Sequence, residues 1–167
     1  MSETIKNHVL TMFYPEDQMP RWFGGPTAVN SVTDVDANCA VWKPAPDRHS
    51  IWELVLHIAF WKYEVRKTIS ENAPEPFPRK PDNWPEMPSQ LNEENWNKDK
   101  VILVSEHRDL VESIRQFDES RMGENLKLYP DLTYADVISG ILHHDLYHTG
   151  QIVLMKRLYA SIVQSPE

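Results

Sequence analysis

The chain has 167 residues, enough for one domain with a sizeable core, and a net charge of -8 with no Lys/Arg cluster standing out from the acidic background. That balance excludes the phosphate contacts that drive nonspecific nucleic-acid binding, and no run of ~20 apolar residues offers a membrane span. Cys39 is the single cysteine, so no internal disulfide forms; with no positive-apolar-small leader in view, the expectation is a cytoplasmic protein acting on a small molecule rather than on nucleic acid or a membrane.

In chain order, Ile5, Val9, Leu10 and Phe13 at helical spacing predict a short helix over Glu3 to Phe13, closed by Pro15. Arg21 to Thr27 reads as a turn, after which Ala28, Val29, Val32 and Val35 predict a helix to about Asn38. Lys43 to Asp47 is a connector. Ser50-Ile51-Trp52-Glu53 then has the form of a capping box, in which hydroxyl and carboxylate satisfy orphan backbone donors reciprocally. It opens a long helix to about Asn72 along Leu54, Ile58, Trp61, Val65 and Ile69. Six prolines between Pro74 and Pro88 forbid a helix or central strand and predict an extended crossover. Asn92-Glu93-Glu94 caps a helix carrying Trp96, Leu103, Leu110, Ile114 and Phe117, and Thr133 to Asp136, a capping box with Asp for Glu, opens a last helix to about Ala160. No segment alternates apolar and polar residues between turn signals, so the expected fold is all-α, with a four-helix bundle the economical architecture.

The last helix carries the most informative residues, His143 to Ile152. At about 100° per residue, His144 and His148 lie one turn apart on one face, within the apolar stripe Val137, Ile141, Ile152 and Met155, while His143 points away. His57 sits on the inward stripe of the Ser50 helix, and a bundle can bring the three imidazoles together as a facial N3 site for Zn²⁺, Ni²⁺, Fe²⁺ or Cu²⁺ with positions left for water or substrate. His107, between Leu103 and Leu110, is the one competing third ligand and reads as a satisfied core or rim histidine. Glu53 is a candidate base, though its cap explains it without function. Gln151 is a candidate hydrogen-bond partner for a bound ligand. Asp145 reads as a solvated or interface carboxylate, Tyr147, Trp52 and Trp61 as packing, and Gly150 as the site of a close helix approach. A di-iron carboxylate bundle is disfavoured because no Glu-x-x-His occurs, and a zinc peptidase because no Glu follows the first histidine of His144 to His148.

Trp22 to Thr27, His49 to Trp61, Asn83-Trp84-Pro85 and His144 to Ile152 together resemble the DinB-like superfamily, which includes the YfiT-type metal-dependent hydrolases; the resemblance spans roughly residues 20 to 160 of a single domain, 1–167. It implies a bundle of up-down-down-up connectivity, often homodimeric, with a divalent metal held by His57, His144 and His148. The reaction it implies is less defined, since such relatives include thiol S-transferases and isomerases using bacillithiol, mycothiol or glutathione. Three readings follow: a metal-dependent enzyme that activates a low-molecular-weight thiol for transfer to an electrophile, a hydrolase using water with Glu53 or a mobile carboxylate as base, or a non-catalytic metal-stabilised dimeric binding protein.

Overall fold

The computed structural model describes residues 4–13, 26–70, 74–80 and 82–163. The expected stop at Pro15, the first part of the turn from Arg21 to Gly25, and the end of the long helix at Asn72 lie outside those residues. Among the described residues the chain is all-helical: α1 (Ile5–Phe13), α2 (Ala37–Val41), α3 (Ile51–Ile69), α4 (Glu93–Gln116) and α5 (Tyr134–Val163), with single 3₁₀ turns at Asn30–Val32 and Glu119–Arg121. An isolated antiparallel bridge, Asn125 with Thr133, is the one β pairing among them.

The helix starts follow from local chemistry. Ser50 Oγ accepts from the Glu53 amide at 3.2 Å while the Glu53 carboxylate accepts from the Ser50 amide at 2.7 Å, closing the capping box that starts α3. Asn92 accepts from the Asn95 amide at 2.9 Å to start α4. Thr133 and Asp136 exchange the same reciprocal bonds, 3.2 and 2.8 Å, at the start of α5.

The expected helix from Ala28 to Asn38 is instead a 3₁₀ turn followed by the five-residue α2, and the cause is side-chain competition for the backbone. Thr27 Oγ1 takes the Asn30 amide, and Asp36, extended at φ -88° and ψ 170°, takes the Cys39 amide at 2.8 Å. Glu93 from α4 takes the Ala37 amide at 2.8 Å, so a distant residue completes the break.

Helix α3 packs on both α4 and α5, and α1 packs on the same two helices. Thirteen of the 19 residues of α3 are buried, which makes it the central element rather than a one-faced surface helix. One apolar cluster surrounds Trp52 and Trp96, whose ring centroids are 5.2 Å apart, and both indoles satisfy their N–H groups, on Asp99 at 2.8 Å and on the Val35 carbonyl at 2.7 Å. A second cluster gathers Val9 and Phe13 of α1 with Val65, Leu110, Ile114 and Ile138. The described part of the proline-rich stretch holds neither helix nor strand, and it is anchored where Phe77 buries against Phe60 and Tyr63 and where Arg79 pairs with Asp99. Trp61 departs from the expected core stripe: it is 38% exposed and donates its N–H to Asn83 Oδ1 at 2.8 Å.

Candidate metal centre

Helix α3 presents His57, and α5 presents His144 and His148 one turn apart; their ligand atoms all lie within 4.8 Å of one another. The Nε2 atom of His57 is 3.1 Å from Nε2 of His148 and 3.1 Å from Nε2 of His144. The outer ring nitrogens decide what those contacts are. His57 Nδ1 is 2.6 Å from the Asn83 carbonyl, which can only accept, so Nδ1 carries the proton and Nε2 a bare lone pair. By the same argument His148 Nδ1, 2.7 Å from Gln151 Oε1, carries its proton outward. Two bare lone pairs thus face each other across 3.1 Å, an arrangement that repels unless a cation lies between them. Ligands at 2.0–2.1 Å from a tetrahedral or octahedral ion stand ~2.9–3.4 Å apart, a spacing that the two 3.1 Å separations from His57 match, so the residues fit a bound divalent metal.

Electrostatics favour the same state. Burial pushes the His57 imidazole down to about 4 and that of His144 to about 3, with the neighbouring histidines adding to both effects. Burial also lowers His148, against the opposing pull of Gln151 and Asp145. The cluster is therefore neutral near pH 7, as imidazole ligands must be. His144 Nδ1 is buried without a hydrogen-bond partner among the described residues.

The segment around residue 84 holds His57 from outside. Trp84 stacks on His57 at 4.0 Å and 14°, and its other face stacks on His49 at 3.5 Å and 8°, so one indole is clamped between two imidazoles. Asn83 binds twice, its carbonyl to His57 and its side chain to Trp61. Neither role was readable from the residues: His49, Asn83 and Trp84 stand out in sequence only as parts of the family-like motifs.

The remaining candidates fall in distinct places. Gln151 orients His148. Glu53 lies in the capping box and pairs with Lys43 at 2.9 Å; burial raises its carboxyl, but the bonds from Ser50 and Lys43 outweigh this and hold it below the usual range. His107 is buried on α4, edge-on to Phe13 at 5.3 Å, and is not part of the cluster. His143 is exposed. Asp145 is not solvated but buried, paired with the fully buried Lys62 of α3, because its position on α5 faces the α3 side next to the site. Burial raises its carboxyl although the Lys62 ammonium opposes the shift. Tyr147 is 65% exposed, its ring 4.9 Å from His148, and so edges the site rather than filling core. A Cβ built on Gly150 meets nothing within 4 Å, so no close helix approach requires that glycine.

Beside His148 opens a cavity of about 460 Å³, walled by Pro44, Arg48, His49, Leu54 and Trp84 on one side and by α5 from Tyr147 to Leu158 on the other. Of the three imidazoles, His148 lines this cavity, so an ion held by the cluster would border it. No helix among the described residues is long and apolar enough to cross a membrane. No curated protein and no solved structure matches the chain. The DinB superfamily model matches residues 27–152, a span that includes all three histidines and the Asn83-Trp84 clamp, and the chain belongs to that superfamily.

Proposed function

We propose that this protein is a metal-dependent enzyme of the DinB superfamily, in which His57, His144 and His148 hold one divalent transition ion (Zn, Ni or Fe) and a low-molecular-weight thiol is activated for S-transfer to an electrophile. The observation that carries the reading is the pair of lone pairs, His57 Nε2 and His148 Nε2, turned on each other at 3.1 Å by their outward hydrogen bonds. An ion at this position supplies Lewis acidity that lowers the pKa of a ligated thiol or water. The chain's own residues do the rest. Asn83 and Gln151 fix the two tautomers, Trp84 holds the His57 ring, and the cavity beside His148 receives the second reactant. Cys39 is buried and takes no part.

The same reading carries a single-domain four-helix bundle of α1, α3, α4 and α5 with up-down-down-up connectivity, the proline-rich stretch as its crossover, a homodimer in solution and a cytoplasmic location. Hydrolysis by activated water, with Glu53 or another carboxylate as base, uses the same ligand set.

Elemental analysis of purified protein is expected to find about one divalent ion per chain and none in the His144→Ala/His148→Ala variant. Full occupancy in that variant would end the metal assignment. Metal-loaded protein is then expected to conjugate at least one of glutathione, bacillithiol or mycothiol to monochlorobimane; no turnover with any of them moves the site to hydrolysis or to binding alone.

A further inference from the structure

The cavity beside His148 is built unequally at its two ends. Near the histidines it carries Gln151 and His49, whereas farther along α5 it is lined by Leu154, Met155 and Leu158, with Pro44 and Leu54 opposite. His148 to Leu158 spans ten residues of helix, about 15 Å of length. Leu154 is 58% exposed and Leu158 39%, so apolar side chains are left open to solvent along a concave surface instead of closing over it. The wall carries a single charged group, Arg48, in an exposed pair with Asp47 at 3.0 Å. A glutathione-like or sugar-linked thiol, rich in charge and hydroxyls, finds few partners here. An apolar chain or ring finds a continuous surface.

We infer that this groove selects the second reactant: an elongated small molecule with a single polar head placed at the histidines and an apolar alkyl or aryl body about 10–15 Å long lying along Leu154 and Leu158. The inference rests on the reading of His148 as a metal ligand only for the placement of the head; the apolar body is read from the groove itself. Burial of each methylene of that body contributes about 0.8 kcal/mol, so affinity climbs steeply with chain length until the groove is filled.

Two probe series separate the two readings. Phenylalkanols from benzyl alcohol to 6-phenylhexanol, titrated calorimetrically into chelator-treated protein, test the groove alone, and the matching phenylalkyl hydroxamic acids titrated into zinc-loaded protein add a chelating head. Both series are expected to tighten roughly threefold to fourfold per methylene, with Leu154→Glu flattening both slopes while leaving the zinc content unchanged. Hydroxamates no tighter than the alcohols, with the slopes intact, would remove the metal-directed head and leave the groove standing. Flat slopes in the wild-type protein would overturn the inference, and a Leu154→Glu variant that also turned from dimer to monomer on sedimentation would make this stripe a contact between copies of the chain.

Discussion

Two buried polar clusters sit side by side on α3 and α5, and they are built on opposite principles. Lys62 meets Asp145, and Arg66 meets Glu106 at 2.9 Å, so every buried charge in that cluster has its counter-charge from another helix. Next to it on the same α5, His148 faces His57 lone pair to lone pair, and His144 brings its Nε2 to 3.1 Å from the same His57 nitrogen. Residues 144 and 145 are neighbours, turned about 100° apart, and that rotation alone assigns one to each cluster. A cluster that is closed by its own charges holds helices in register. One that is electron-rich and neutral has the chemistry to hold a cation.

The comparison can be broken most directly at the closed cluster. Lys62→Met or Asp145→Leu alone leaves one member of the pair buried without its partner and is expected to cost about 3–5 kcal/mol in urea denaturation, whereas the double variant recovers most of it. A double variant as unstable as either single would show that the pair is not a closed unit.

Acid sharpens the contrast. Burial, aided by the Lys62 charge, pushes His107 down to about 3, well below its value in an unfolded chain. A depressed histidine contributes stability that is complete above the unfolded pKa and is lost as pH falls through the window toward the folded one. Metal-free protein should therefore lose stability from about pH 6.5 downward, by up to about 1.4 kcal/mol per pH unit for each such histidine, and His107→Phe should reduce that slope. Thermal melts across pH 4 to 7 read it out.

Smaller effects test the outward bonds of the open cluster. Gln151→Leu removes the acceptor that fixes His148 and is expected to weaken metal affinity about 10- to 100-fold without changing the fold, measured by competition with a chromophoric chelator. Smallest of all, Gly150→Ala fills open space in the middle of α5 and is expected to stabilise by about 0.5–1 kcal/mol with metal binding intact.

What the sequence reveals divides along the range of the interactions. The Ser50, Asn92 and Thr133 caps and the one-turn spacing of His144 and His148 are settled within four residues, and each stands in the structure as local rules require. The break at Asp36 was local too, but its Asp competes for a backbone amide against an apolar periodicity that pointed the other way, and Glu93 reinforces it from 56 positions away. Asp145, Trp61 and Tyr147 depart from the sequence expectation for a different reason. Helical periodicity gives the angle between two residues and not which neighbour fills each direction. Lys62 waiting opposite Asp145, or solvent opposite Tyr147, is a fact about tertiary placement. The Asn83-Trp84 clamp is the extreme case, since a main-chain carbonyl 26 residues from His57 has no side-chain signature at all.

That clamp gives the centre a topological meaning. His57 and His144 are 87 positions apart, and the contact from residue 83 to His57 ties down the stretch that runs between them. An ion held by both histidines would be a cross-link that closes this loop in the folded chain, and its affinity would carry the entropy of a closure already made by folding. With the proposed ion in place, metal content would be coupled to how often the two halves of the chain part. Each tenfold excess of free ion over its dissociation constant adds about 1.4 kcal/mol against that parting.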